Sequence, residues 1–190
     1  MEILRNKHRA RIAQNAATTL SVLYRRHIEG LYRYIYWRVG NAEDAEDLSS
    51  QVFLDVIDSF HRYHEQNKFA SWLFTIARRA VADYYRRRRD DLPLDQSRAL
   101  SLEGNPVLNQ IIHNESLQQL AHLISQLDGE DRELLHLRFA ADLRFSDIAI
   151  IVGRSEAATK MAIYRILRRL RIAWEESSER GKRHELPPGH

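Results

Sequence analysis

Six carboxylates crowd residues 41–60, Glu43, Asp44, Glu46, Asp47, Asp55 and Asp58, with no lysine or arginine among them. Paired acids at this density are able to move protons or hold a divalent cation. Their spacing is not that of a calcium loop and no histidine accompanies them. The first four open a helical pattern, where the helix dipole favours negative charge. A protein-contact surface fits these residues better than an active site. The nine histidines are scattered; His61 and His64, one turn apart, are the nearest local pair and lack clustered partners. With no cysteine, disulfides, thiolate metal sites and cysteine nucleophiles are excluded. There is no nucleophile signature and no phosphate-cradling glycine loop. The expectation is a non-enzyme with no catalytic residues, no metal and no cofactor.

The cations point elsewhere. Residues 71–89 hold six arginines against Asp83, and residues 154–171 hold six bases against Glu156. The first zone interleaves Arg78, Arg79 and Arg86–Arg89 with Trp72, Phe74, Tyr84 and Tyr85. Single-stranded or melted DNA needs such a mixture, because unpaired bases stack on rings while phosphates seek arginine. Trp72 also lies on an apolar stripe, so a core role competes with a stacking role. Four arginines in succession cover several helix faces, and some of them must point away from any core. The second zone, FSDIAIIVGRSEAATKMAIYRILRRLR, places Ile148, Ala149 and Val152 on a short helix that Gly153 ends. Ser155 is placed to cap a second helix, whose buried side would use Ala158, Ile163, Ile166, Leu167 and Leu170. Two helices joined by a short glycine-containing turn form a helix-turn-helix, whose second helix enters the major groove.

These groups need helices to position them. Leu20, Leu23, Tyr24, Ile28, Leu31 and Ile35 recur at three- and four-residue steps. Gly40-Asn41 breaks that pattern, and Asn41 or a nearby acid can cap the next helix, which carries Leu48, Val52, Phe53, Val56, Ile57 and Phe60 along one side. A third run carries Trp72, Leu73, Ile76, Ala77, Ala80 and Tyr84. Residues 90–107 hold two prolines and a glycine with no sustained period, which marks a linker. Beyond it, Leu117, Leu120, Ala121, Ile124 and Leu127 form a stripe, and Leu134, Leu135, Leu137 and Phe139 a denser apolar cluster. The tail from Ser177 is expected to fray. The predicted fold is all-α, two small helical domains joined by a flexible linker, the C-terminal one with a helix-turn-helix. Expected boundaries are 1–90, a linker at 91–110, 111–175 and a tail at 176–190.

Of the 190 residues, 44% are apolar and 29% charged, an ordinary globular balance, with net charge +3. No stretch approaches 18 consecutive apolar residues and the N-terminal residues lack a signal-peptide core, so neither membrane insertion nor export is expected.

In their order, LYRYIYWRVGNAEDAEDLSSQVFLDVI, KFASWLFTIARRAVADYYRRRR and LDGEDRELLHLRFAADLRFSDIAIIVGRSEAATKMAIYRILRRLR resemble the extracytoplasmic-function group of the sigma-70 family, over residues 20–90 and 116–172. The resemblance implies a promoter-specificity subunit that binds core RNA polymerase, recognises −35 and −10 elements and helps open promoter DNA. It implies polymerase binding by Asp44, Glu46, Asp47, Leu48, Val52 and Phe53. It implies contact with the melted −10 element by Arg62, Tyr63, His64, Asn67, Lys68, Arg78, Arg79, Arg86 and Arg87. Duplex −35 DNA falls to Arg154, Ser155, Glu156, Lys160, Tyr164, Arg165 and Arg168. An anti-sigma factor is a frequent partner in the family. The implied location is the cytoplasm, with tethering at the membrane through such a partner, and no small-molecule substrate is implied. Where the family commonly reads EGTVKSR, this chain reads EAATKMA, so Ala158 lacks a hydroxyl and Ala162 an arginine, each expected to remove a phosphate contact. From periodicity and composition alone, a plain DNA-binding regulator with an N-terminal dimerisation or sensing domain stays open, as does a helical interaction protein.

Overall fold

Two glycines and an asparagine punctuate the chain where the periodicity predicts breaks. Gly40 adopts φ +76° and Gly153 φ +71°, left-handed positions that a Cβ disfavours. Asn41 caps the second helix, its side chain accepting from the Asp44 N–H at 3.0 Å. The computed structural model describes the backbone of residues 2–63, 68–90 and 115–184. Its helices are α1 (Glu2–Val39), α2 (Ala42–Ser59), α3 (Phe69–Asp90), α4 (Glu115–Ser125), α5 (Gly129–Leu135), α6 (Phe145–Val152) and α7 (Glu156–His184). A 3-10 turn, Phe60–Arg62, follows α2, and a π turn, His136–Ala140, continues α5. No strand occurs among the described residues. The expected linker at 91–110 lies outside them. α7 persists to His184, through residues 177–184 that composition suggested would fray.

Helices α1–α3 form one cluster and α4–α7 a second. In the first, Leu31, Tyr34, Ile35, Val52, Val56, Leu73, Phe74, Ala77 and Val81 are buried. The periodic stripes match the buried faces to within a rotation. Ile57 is exposed rather than buried, and Trp72, Ile76, Ala80 and Tyr84 are half-buried flanks of a core made by Leu73, Phe74, Ala77 and Val81. In the second cluster Leu117 and Leu120 are exposed, while Leu134, Leu137, Ile148, Ile163 and Ile166 fill the centre. Thr159 and Ala162, not Ala158, face that centre. The Thr159 hydroxyl stays satisfied there by donating to the Ser155 carbonyl at 3.0 Å.

The two clusters pack against each other, and their buried apolar residues are contiguous. Glu133 of α5 is buried at this junction. It accepts from the Tyr34 hydroxyl at 2.7 Å and pairs with Arg38, both on α1. Arg78 of α3 lies 3.8 Å from the same carboxylate and donates to the Ile151 carbonyl at 3.3 Å. Arg33 donates to the Ala140 carbonyl at 2.9 Å, and Ser71 to the Asp147 carboxylate at 2.9 Å. A Cβ at Gly30 would sit 3.0 Å from the Ala141 carbonyl oxygen, so glycine is what lets α1 approach this loop.

Candidate nucleic-acid interface

The segment from α6 to α7 has the predicted helix-turn-helix order. Gly153 ends α6 in the left-handed region, and the Ser155 side chain accepts from the Ala158 N–H at 3.2 Å, capping α7. Ser155, Glu156, Lys160, Tyr164, Arg165 and Arg168 are all exposed. Lys160 lies 5.8 Å from the Tyr164 ring centroid, a cation–π contact that holds both side chains on the outer surface. Arg165 and Arg168 have no ionic partner among the described residues. Arg154, also exposed, is paired with Glu130. Arg169 pairs with Asp131 at 2.7 Å and secures α7 to α5. Ala162 is buried, so an arginine at that position would have to thread its charge out of the core. Its loss therefore removes no contact that this helix orientation offers.

On the first cluster, Arg79 and Arg87 are exposed and without ionic partners among the described residues. Arg86 pairs with Asp83 at 2.9 Å on the surface. Arg78, by contrast, is engaged at the junction described above. Trp72 packs against the core, half-buried, and stacks on Tyr63 at 4.9 Å between centroids. Phe60, Tyr63, Phe69 and Trp72 make an aromatic group beside exposed Lys68. His64 and Asn67 lie outside the described residues, as does the side chain of Arg62.

The acidic face of α2 is partly committed inside the molecule. Asp44 accepts from the Tyr84 hydroxyl at 2.7 Å and lies 3.7 Å from Arg88. Burial, with the bond to Asp44, pushes the Tyr84 hydroxyl up to about 12. Glu46 and Asp47 are exposed and Leu48 is half-buried, whereas Val52 and Phe53 are core residues. Phe53 meets Tyr24 edge-on at 4.5 Å. These two therefore hold the helix in place rather than offer it to a partner. Sequence reasoning missed Leu54 and Ile57, exposed beside Gln51, Asp55 and Asp58. The signal was available, since 47, 50, 51, 54, 57 and 58 share the face opposite Ala45, Ser49, Val52 and Val56.

No group of three or more potential metal ligands occurs among the described residues, and no helix among them is long and apolar enough to cross a membrane.

Comparison with known proteins shows what the chain is similar to. The family model of sigma-70 region 2 matches residues 23–90, and that of sigma-70 region 4 matches residues 117–170. The ECF RNA polymerase sigma factor BldN of Streptomyces coelicolor is 33% identical over 78% of this chain, which spans 57% of that relative's length. The ECF RNA polymerase sigma factor SigM of Bacillus subtilis is 28% identical, over 82% of this chain and 95% of the relative. The fold is similar to that of CnrH, solved in complex with the cytosolic domain of CnrY, with a TM-score of 0.61, 19% identity, and coverage of 86% of this chain and 94% of that one.

Proposed function

The chain belongs to the extracytoplasmic-function group of sigma-70 RNA polymerase sigma factors, and from that premise we propose how its surfaces divide the work of starting transcription. As a member of this family it is a non-catalytic subunit. It binds core RNA polymerase through the exposed acids of α2, Glu46 and Asp47, with Leu54 and Ile57 beside them. The α6–α7 unit reads duplex −35 DNA. Arg79, Arg86, Arg87 and the aromatic group at Trp72 follow the melted −10 strand, where stacking and phosphate contacts offset the cost of unpairing. The observation that carries this reading is the ordered pair of matched regions, each presenting an exposed basic surface.

Size adds a mechanical requirement. The two promoter elements lie about 25 base pairs apart, roughly 85 Å at 3.4 Å per pair. In the docked arrangement the clusters lie side by side, and the helices that carry the two basic surfaces, α3 with 22 residues and α7 with 29, are only about 33 and 44 Å long. The docked arrangement of the two clusters is too short to touch both elements at once, so binding requires the junction at Glu133 to open. Covalent geometry permits it: the 24 residues between Asp90 and Glu115 reach at most about 86 Å when fully extended. Each cluster alone would bind DNA weakly, and joining both on one polymerase raises the effective concentration of the second contact. The work is cytoplasmic. An anti-sigma factor fits the surfaces left free of polymerase, and a partner of which only one domain is cytosolic, as the CnrY bound to CnrH has a cytosolic domain, would allow tethering at a membrane.

Run-off transcription tests the proposal, using core polymerase with and without this chain on a promoter library. Initiation that depends on the chain, at sites sharing paired −35 and −10 elements, is the expected result. Specific duplex binding by the chain alone, with no chain-dependent initiation, would replace it with the regulator.

A further inference from the structure

The outward line of α7 is apolar over its first two turns, where a groove-reading helix usually carries hydrogen-bonding groups. At 3.6 residues per turn, Ala157, Met161, Tyr164 and Arg168 fall opposite the buried Thr159, Ala162, Ile163 and Ile166. Met161 is the most exposed large apolar residue among those described, at 68%, and Ala157 and Ala158 beside it are exposed as well. Nothing in the fold needs a methionine there, because it packs on neither cluster. Lys160 and Arg165 flank these turns, one on each side, where they suit phosphate or guanine acceptors, and Arg168 continues the line further along the helix. Ala157 and Met161 lie in the first two turns of the helix, the part that meets base edges.

In the major groove, the one apolar group on an unmodified base pair is the 5-methyl of thymine. We infer that Met161, with Ala157 and Ala158 around it, is a specificity-determining contact for a thymine methyl in the −35 element. This rests on the assignment of α7 to −35 DNA made above. Alanines keep the helix backbone close to the groove floor, and an unbranched thioether adapts its three torsions to the methyl. The substitution of EGTVKSR by EAATKMA thus exchanges polar contacts for a methyl reader. It does not simply weaken the helix.

The test uses holoenzyme assembled from core polymerase and the full chain. It is offered a promoter library randomised across the −35 element, made once with thymine and once with uracil, which pairs identically but lacks the methyl. At one or more −35 positions, on either strand, enrichment should fall about fourfold with uracil, the value of one buried methyl, about 0.8 kcal/mol. Met161→Ala should erase that difference and leave preferences elsewhere in the element intact, while Met161→Leu keeps most of it. Because Met161 is exposed, both variants should unfold at the wild-type urea midpoint. Equal enrichment from the two libraries, or a thymine preference that survives Met161→Ala, overturns the inference. If neither library yields any −35 sequence, the assignment of α7 to promoter DNA fails and the methyl contact falls with it.

Discussion

Removing the Glu133 carboxylate should loosen the junction between the two helical clusters by about 3 kcal/mol, assembled as follows. The pairing with Arg38 is a charge-assisted hydrogen bond, worth about 1.5–3 kcal/mol. The Tyr34 hydroxyl is fully buried and would lose its acceptor, at about 1 kcal/mol. Arg78, half-exposed and 3.8 Å away, adds at most about 0.5 kcal/mol. Arg38 keeps a quarter of its side chain in water and can rehydrate, which holds the total for Glu133→Ala near the low end of the 3–5 kcal/mol typical of a broken buried pair. Glu133→Gln retains an acceptor for Tyr34 and should cost about half as much. A shift of 3 kcal/mol is roughly 150-fold in the ratio of docked to separated clusters. The chain contains no cysteine, so Ser50→Cys and Gln126→Cys, both exposed, place a dye pair across the junction without further engineering. Glu133→Ala should lower the urea midpoint and raise the fraction of molecules with low transfer efficiency. A double-mutant cycle with Tyr34→Phe should show coupling of at least about 0.5 kcal/mol. If Glu133→Ala leaves stability within about 0.5 kcal/mol of wild type and the transfer efficiency unmoved, the junction does not depend on this carboxylate.

Burial, then Arg38 and Arg132, holds the His136 imidazole down to about 3, so the folded chain keeps it neutral where the unfolded chain protonates it near 6.5. The unfolded state then binds the extra proton between those values, and His136 contributes stability that is complete above about pH 6.5 and lost as pH falls, by up to about 1.4 kcal/mol per unit; urea midpoints from pH 7 to 4 should converge with those of His136→Gln, and parallel curves would count against it. Gly30→Ala would normally gain up to about 1 kcal/mol of helix propensity, but the Ala141 carbonyl 3.0 Å from the new Cβ should turn that gain into a net loss; a higher urea midpoint would show that the loop yields. Arg165→Ala and Arg168→Ala should each weaken −35 binding by holoenzyme and reduce the salt slope by about one, and an unchanged slope in filter binding at several salt concentrations would place these side chains off the phosphates.

Local chemistry was the most legible part of this sequence. Asn41, Gly153 and Ser155 act through neighbours within a few residues, and each does what its type and position suggested. Helix faces were legible only to within a rotation. Ile57 was counted inward and is exposed, because α2 closes its core with Ala45 and Ser49, residues that hydrophobicity ranks low. Ala158 and Thr159 are adjacent, and an apolar count favours alanine for the core, yet Thr159 points inward because its hydroxyl bonds back to Ser155. The junction was not legible at all. Tyr34 and Glu133 are 99 residues apart, and a lone glutamate within an acidic stretch carries no sign that arginines from another domain will enclose it. The resemblance assigns Arg78 and Arg79 alike to DNA, and nothing in their spacing shows that Arg78, itself about half exposed, also reaches Glu133 and the Ile151 carbonyl, while Arg79 has no ionic partner among the described residues.

Arg78 raises the question of what separates the clusters when promoter DNA is bound. Its Nη1 donates to the Ile151 carbonyl and its Nε lies toward Glu133, so a −10 phosphate must share the guanidinium or draw it away from the junction, and to that extent docking and DNA compete for it. The competition is weak. A half-exposed cation at 3.8 Å and a 3.3 Å bond to a carbonyl are together worth about 1 kcal/mol or less, which shifts the equilibrium only about fivefold. Converting a population 99% docked to one 99% separated requires about 5.5 kcal/mol of differential binding. DNA acting through Arg78 alone cannot supply that. The remaining source is a contact made at two distant points, which only the separated clusters can reach, and core polymerase holding α2 while −35 DNA holds α7 has that property. Glu133, Arg38 and Asp147 regain water when the junction parts, so their desolvation cost is recovered in a way that exposed leucines would not allow. Holding the junction with buried polar groups keeps the docked state defined and leaves it within reach of what a two-point contact can overcome.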